Sequence, residues 1–135
     1  MITKGIKELV DEANAEIETI PVEEAKRLLG SEDVVFVDIR DIRELWRDGA
    51  IPGALHAPRG LLEFWVDPES PYHREVFASG KKFVFFCAGA LRSALATQAV
   101  QRMGLKPVAH LEGGFEAWRE AGGPIEAKEP KFPGK

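Results

Sequence analysis

The chain is organised around residues 82–93, which carry the sequence KFVFFCAGALRS. Four apolar residues, three of them aromatic, lead directly into Cys87, and Arg92 follows five positions later. This pattern predicts a buried strand, a tight loop and then a helix. The backbone N–H groups of such a loop converge at a helix N-terminus and can bind an anion. We therefore expect a stabilised thiolate at Cys87, and hence a good nucleophile.

The composition favours one domain with a substantial core, because 44% of the 135 residues are hydrophobic. A net charge of −4, with both signs interspersed, argues against nucleic-acid binding. The chain has no apolar run long enough to cross a membrane and no apolar segment after its first residues, so no signal peptide is expected. The single cysteine excludes an internal disulfide and fits a cytoplasmic protein.

Short apolar runs alternate with segments of helical periodicity along the whole chain. Strands are predicted at residues 17–20, 34–37, 54–57, 82–86 and 107–111. Helices are predicted at residues 3–15, 21–29, 61–65, 72–79, 93–103 and 115–121, with a further short helix from an Asp41 capping box to Gly49. This alternation predicts an α/β fold with a central, mostly parallel sheet flanked by helices. Asp38 and Cys87 follow strands, so both are expected at the sheet edge where such folds bind ligands.

The first helix is predicted to be amphipathic, with five apolar residues on one stripe: Ile6, Leu9, Val10, Ala13 and Ile17. This stripe packs either on its own domain or on a second copy, which would make a homodimer. We therefore divide the chain into an N-terminal helical extension (1–16), a domain (17–125) and a loose tail (126–135). In the helix after the loop, Leu95, Ala99 and Met103 are predicted to share the face toward the sheet, with Ala96 and Val100 beside them.

Four landmarks occur in order: VDIR at 37–40, Glu44 followed by GAIPGA at 49–54, CAGALRS at 87–93, and LEGGFEAW at 111–118. In these landmarks the chain resembles the rhodanese domain of sulfurtransferases over roughly residues 17–125. The resemblance implies a five-stranded parallel sheet and no cofactor. It also implies that the cysteine takes a sulfane sulfur from a small anionic donor such as thiosulfate. The persulfide then passes that sulfur to cyanide, a thiol or a thiol protein.

Two positions depart from the family pattern. Ala50 replaces a histidine that is common in the family but has no catalytic role in the resemblance. Ala90 stands where many members have a glycine, and the glycine lies one position earlier, at Gly89. The loop length is preserved, so we expect this second change to affect the choice of donor.

Cys87 is the predicted nucleophile, although a cysteine after an apolar strand can also be a buried hydrophobic residue. The predicted substrate-binding residues are Ala88, Gly89, Ala90, Leu91, Arg92 and Ser93 of the loop, together with Arg59 after the third strand. Arg92 either pairs with an acid outside the loop, with Asp38 and Glu44 as candidates, or neutralises the incoming donor. Asp38 and Glu44 are expected to support the site rather than react, and Glu44 can alternatively serve its capping box. The three histidines match no metal-ligand spacing and are expected to be structural.

Two other functions remain open at this point. A phosphatase or arsenate reductase uses a similar cysteine–arginine loop, with five residues between the two because a tetrahedral oxyanion needs a wider ring. Here four residues separate Cys87 from Arg92, which favours sulfur transfer. A non-catalytic binding module is the third possibility, although degenerate members of the family usually lack the cysteine.

Overall fold

The computed structural model describes residues 1–130. The strands are β1 (Glu18–Ile20), β2 (Val34–Asp38), β3 (Leu55–His56), β4 (Lys82–Phe86) and β5 (Val108–Leu111). The helices are α1 (Ile6–Glu16), α2 (Val22–Leu28), α3 (Ile42–Asp48), α4 (Leu62–Val66), α5 (Leu91–Arg102) and α6 (Gly114–Glu120). Two 3₁₀ turns, Arg59–Leu61 and Glu75–Ala78, lie before and after α4.

Within these residues the five strands form one parallel sheet in the order β1-β5-β4-β2-β3. This architecture confirms the predicted α/β fold. Strand β4 lies in the middle, between β2 and β5, and residues 83–86 are all completely buried. Their side chains alternate between two apolar clusters on the two faces of the sheet, which explains the continuous apolar run. Cys87 therefore leaves the sheet at its centre.

Helix α3 begins with the predicted capping box. The Asp41 carboxylate accepts the N–H of Arg43 at 2.9 Å, and the Glu44 carboxylate accepts the N–H of Asp41 at 2.9 Å. Gly49 ends the helix with a φ of +86°, a conformation that glycine adopts without strain. These two ends define a short helix with Glu44 in its first turn.

Helix α1 packs on α5 through only part of its apolar stripe. Val10, Ala13 and Ile17 form a small cluster with Ala94 of α5. Ile6 remains 62% exposed. The end of α1 is also tied to α5, because Gln101 donates to the Glu16 carbonyl at 2.9 Å. The extension is thus in direct contact with the helix that follows the cysteine loop.

The predicted face of α5 was right for Ala96 and Val100, which are buried against the sheet, and wrong for Leu95 and Met103. Met103 is exposed, and Leu95 packs toward α1 rather than the sheet. The buried residues of α5 are Ser93, Ala94, Ala96, Thr97 and Val100. Alanines lie on several sides of α5, so the apolar pattern of its sequence did not identify which side faces the sheet. The inward face is the one that carries Ser93, whose backbone N–H donates to Cys87 Sγ.

The remaining segments differ from their predictions in detail. The helix expected at 72–79 is the short 3₁₀ turn Glu75–Ala78. Glu126, the first residue of the predicted loose tail, exchanges two backbone hydrogen bonds of 2.9 Å with Ala50. Residues 127–130 of that tail form neither helix nor strand, and residues 131–135 lie outside the described residues. Across residues 1–130, none of the helices combines the length and apolar character that spanning a bilayer requires.

Candidate active site

Cys87 lies directly after β4 and is 1% exposed. Its Sγ accepts the backbone N–H of Ser93 at 3.4 Å. The thiol proton faces the Ser93 hydroxyl, with Sγ and Oγ 3.6 Å apart. Ser93 belongs to the first turn of α5, whose N–H groups have no intrahelical acceptor. The chain thus folds back on its sulfur over six residues.

Ala90 adopts the left-handed conformation, with φ +76° and ψ 5°, at the residue before α5. This conformation costs a residue with a Cβ about 1–2 kcal/mol and is open to glycine. Gly89, in contrast, does not have a positive φ. The shifted glycine therefore leaves the strained position to an alanine and places the flexible residue next to it.

The N-terminus of α6 holds the first two carbonyls of the loop. The N–H of Phe115 donates to the Cys87 carbonyl at 2.8 Å, and the N–H of Glu116 donates to the Ala88 carbonyl at 3.1 Å. Because a trans peptide directs its N–H opposite to its carbonyl, the N–H groups of the next two loop residues point away from α6. Gly114 permits this approach: a Cβ there would lie 2.6 Å from the Cys87 oxygen, and its φ is +64°.

Arg92 forms a two-pronged ion pair with Glu44. The two guanidinium nitrogens donate to the two carboxylate oxygens at 2.9 and 3.0 Å. Hydrogen bonding to Arg92 is the main cause that lowers the pKa of Glu44. The same contact raises the pKa of Arg92, with a smaller contribution from Cys87. Of the two acids considered as partners, the structure places Glu44 against Arg92, and Glu44 serves the capping box as well.

Asp38 pairs instead with Arg40, and both side chains are 1% exposed. Arg40 Nη2 lies 2.8 Å from the carboxylate of Asp38 and donates to the Gly49 carbonyl at 2.9 Å. The Arg40 guanidinium also lies 4.1 Å from the centre of the Phe115 ring, a cation–π contact. This buried pair joins the ends of β2 and α3 to the base of α6, and so supports the loop indirectly.

Arg59, the predicted donor-binding residue outside the loop, is engaged elsewhere. Its guanidinium pairs with Glu63 at 2.7 Å, one helical turn later. Its backbone N–H donates to the Ile39 carbonyl at 3.1 Å. These two contacts tie Arg59 to α4 and to the residue that follows β2, and neither brings it to Cys87.

Two polar residues outside the loop, His110 and Asn14, were not expected to connect to the thiol through Ser93. Ser93 Oγ lies 2.9 Å from Nδ1 of His110, and Nε2 of His110 lies 3.0 Å from Oδ1 of Asn14 in α1. His110 is 2% exposed, and burial lowers its pKa to about 4. The sequence carries no local signal for these contacts, because they depend on β5 lying next to β4 in the sheet, which brings His110 beside the cysteine loop. Among residues 1–130, no three His, Cys, Asp or Glu side chains are grouped as metal ligands.

The comparison with known families decides the identity of the fold. The family model described as "Rhodanese-like domain" matches residues 21–121. The chain belongs to the rhodanese-like domain family. The match begins after α1, so Asn14 lies outside the part of this rhodanese-like chain that the family model covers.

Similar proteins include named sulfurtransferases and one protein described as a possible phosphatase. A sulfurtransferase of Allochromatium vinosum is 36% identical over 78% of this chain and 90% of its own length. The mouse thiosulfate sulfurtransferase/rhodanese-like domain-containing protein 3 is 29% identical over 70% of the chain, which spans 64% of that relative. A solved Rhodopseudomonas palustris protein of unknown function, described as a possible tyrosine phosphatase, is 62% identical, with a TM-score of 0.91 over 93% of this chain and 97% of that one. The rhodanese-like family to which the chain belongs thus includes named sulfurtransferases.

Proposed function

We propose that the rhodanese-like chain acts as a sulfurtransferase that carries sulfur as a Cys87 persulfide. The Cys87 thiolate attacks the outer sulfur of a small anionic donor such as thiosulfate. The new S–S bond forms as the bond from that sulfur to the sulfonate group breaks, and sulfite leaves with the bonding electron pair. The product is an anionic persulfide on Cys87.

The observation that carries this proposal is the closed loop around one sulfur atom. The N–H of Ser93 points at Sγ from 3.4 Å, and N–H groups of this kind stabilise a thiolate and a persulfide anion alike. Arg92, which a phosphatase would use to hold a phosphoryl oxyanion, is bound by both oxygens of Glu44. The loop with four residues between Cys87 and Arg92 therefore suits a single sulfur better than a tetrahedral group.

The second half-reaction returns the enzyme to its thiolate. Cyanide or a thiolate attacks the outer sulfur of the persulfide, and the S–S bond breaks with its electron pair on Cys87 Sγ. Cys87 is the one cysteine of the chain, so the sulfur leaves to another molecule rather than to a resolving thiol. The persulfide extends the reactive atom about 2 Å beyond the buried Sγ, which helps an acceptor to reach it.

Mass spectrometry after incubation with thiosulfate tests the proposal. We expect the mass of one added sulfur atom on the wild type and none on Cys87→Ser, followed by loss of that mass and release of thiocyanate when cyanide is added. Polysulfide and a persulfidated small thiol serve as alternative donors. An unmodified wild type with all of these donors would contradict the proposal.

A phosphatase is the second candidate, because the 62% identical Rhodopseudomonas protein is described as a possible tyrosine phosphatase. An aryl phosphate assay on the same preparations separates the two. Hydrolysis that is lost in Cys87→Ser, without any persulfide, would favour the phosphatase. Inactivity in both assays, together with a stable protein partner in pull-downs, would favour a binding module.

A further inference from the structure

The buried thiol of Cys87 is connected to the protein surface by a line of hydrogen-bonding side chains. The line runs from Sγ to Ser93 Oγ (3.6 Å), then to His110 Nδ1 (2.9 Å), and from His110 Nε2 to Asn14 Oδ1 (3.0 Å). Cys87, Ser93 and His110 are all buried, and Asn14 is exposed. The line therefore has one end at the nucleophile and the other in solvent.

The direction of each hydrogen bond follows from the chemistry at the exposed end. The Asn14 oxygen accepts, so Nε2 of His110 carries a proton and donates it. A neutral imidazole then has an unprotonated Nδ1, which accepts the hydroxyl proton of Ser93. The Ser93 oxygen, having donated its proton, offers a lone pair to the S–H of Cys87. Every donor along the line thus points away from the sulfur.

The direction of these hydrogen bonds provides a way for the buried thiol to lose its proton. The thiol is 1% exposed and must lose its proton before it can attack a donor. A solvent base has no direct access to a buried S–H, and a bound donor would fill the mouth of the loop. The side-chain line is a path that stays open while the donor is bound.

We propose that Ser93, His110 and Asn14 form a relay that carries the Cys87 proton to solvent, with His110 and Asn14 as positioning residues for sulfur transfer; this rests on the proposed sulfurtransferase function. The S–H bond breaks as the proton moves to Ser93 Oγ, and the original hydroxyl proton of Ser93 moves to Nδ1 of His110. The Nε2 proton then passes to water beside Asn14. One proton leaves, a thiolate remains, and no atom changes its oxidation state.

The surroundings of His110 suit passage of a proton rather than its storage. In the sheet its register partners are Phe85 of β4 and Thr19 of β1, which carry no charge. Burial lowers the pKa of His110 to about 4, so the ring is neutral at neutral pH and retains an added proton weakly. Ion pairs on the surrounding elements are Lys7–Asp11, Lys4–Glu12, Arg102–Glu16, Lys82–Glu18 and Arg92–Glu44.

Two variants of Asn14 give the sharpest test, because they change an exposed side chain in opposite directions. Asn14→Ala removes the acceptor of the Nε2 proton and should slow persulfide formation at neutral pH. Asn14→Asp supplies a carboxylate that makes His110 more basic, so it should speed that step and extend it to lower pH. Ala15→Asp adds the same charge one residue further on, at an exposed position, and should match the wild type. His110→Phe removes the relay and should slow persulfide formation about 10²-fold, the lower range for a positioned proton acceptor.

Stopped-flow rates of persulfide formation and of iodoacetamide alkylation of Cys87, each measured across pH, provide the readout. Alkylation requires the thiolate but no sulfur donor. At iodoacetamide concentrations beyond which the rate no longer rises, loss of the thiol proton limits the reaction, so this limiting rate reports on the relay even if the protein transfers no sulfur. We expect the His110→Phe rates to approach the wild type at alkaline pH, where hydroxide takes the thiol proton, and delivery of preloaded sulfur to cyanide to be affected less. Equal limiting alkylation rates in Asn14→Ala, Asn14→Asp and wild type at every pH would overturn the relay. A relay intact in alkylation, with no persulfide from any donor, would overturn the proposed function alone.

Discussion

The substitution Gly114→Ala tests whether the start of α6 holds the cysteine loop in place. The new Cβ would lie 2.6 Å from the Cys87 carbonyl oxygen and 2.7 Å from that of Ala88, so the loop must move away from α6. Movement breaks the hydrogen bonds from Phe115 and Glu116, each worth about 0.5–1.5 kcal/mol. The left-handed φ of +64° adds about 1–2 kcal/mol for any residue with a Cβ. We expect a total loss of about 2–5 kcal/mol in the free energy of unfolding.

Gly122→Ala is the matched control. Gly122 has a φ of +76° just beyond α6, but a Cβ there meets no atom within 4 Å. Gly122→Ala therefore has the conformational cost of a Cβ at positive φ but no collision. The free energies of unfolding of the two variants should differ by about 1–3 kcal/mol, the contribution of the hydrogen bonds that Phe115 and Glu116 donate to the loop. Urea unfolding gives both free energies, and the rate of Cys87 alkylation shows whether the loop has moved. Equal stabilities with unchanged alkylation in both variants would refute the idea that α6 positions the loop.

Two further predictions concern the loop and its ion pair. Ala90→Gly removes about 1–2 kcal/mol of backbone strain at φ +76°, while the greater chain entropy of glycine costs about 0.5–1 kcal/mol on folding. Urea unfolding should therefore show a net gain in stability of up to about 1.5 kcal/mol. Arg92 lowers the pKa of Glu44 below its ordinary value of 4.5, so the pair stabilises the folded protein above pH 4.5 and loses this contribution as pH falls through the lower folded value. Glu44→Gln should therefore be less stable than wild type at neutral pH, by at most about 1 kcal/mol, and the difference should shrink in acid.

Each of these variants has a clear control. The control for Ala90→Gly is Ala88→Gly, which changes an alanine without a positive φ and should lower stability by about 0.4–1 kcal/mol. A gain in stability in both variants would show that relief of backbone strain at Ala90 does not explain the gain. Glutamine at position 44 can still complete the capping box, so a difference from wild type reflects the ion pair. A difference that stays constant from neutral pH into acid would contradict the linkage between Glu44 and Arg92.

The sequence predicted the middle of the sheet well because β2, β4 and β5 are short, largely apolar and largely buried, whereas the edge strands β1 and β3 are partly exposed. Residues 34–37 and 82–86 admit few other structures, and the Asp41 capping box marked the start of α3 by local chemistry alone. The inward face of α5 was not predictable in the same way. With alanines on several sides, its periodicity is weak, and the face depends on tertiary contacts of Ser93 and α1.

In the candidate site, too, local features could be predicted from the sequence and contacts between distant residues could not. The sequence alone indicated Cys87, the loop and the spacing to Arg92, because these lie within one continuous stretch. It left two possible partners for Arg92, and it gave His110 no role at the thiol. Those contacts join residues far apart in the chain, and Asn14 lies 96 residues from His110. Separations of this kind leave no periodic or local signal.

The support of the loop by α6 has a consequence for protein engineering. Residues 87–93 hold their shape through Glu44 on one side and Gly114 on the other, and Arg40 ties the base of α6 to the end of β2. A loop transplanted into another scaffold would bring its thiol but neither support. The smallest transferable unit is therefore a set of three separated segments: the stretch from the end of β2 into α3, the loop itself and the start of α6. An exchange of loops between proteins should preserve the loop geometry only where the other two segments are exchanged as well.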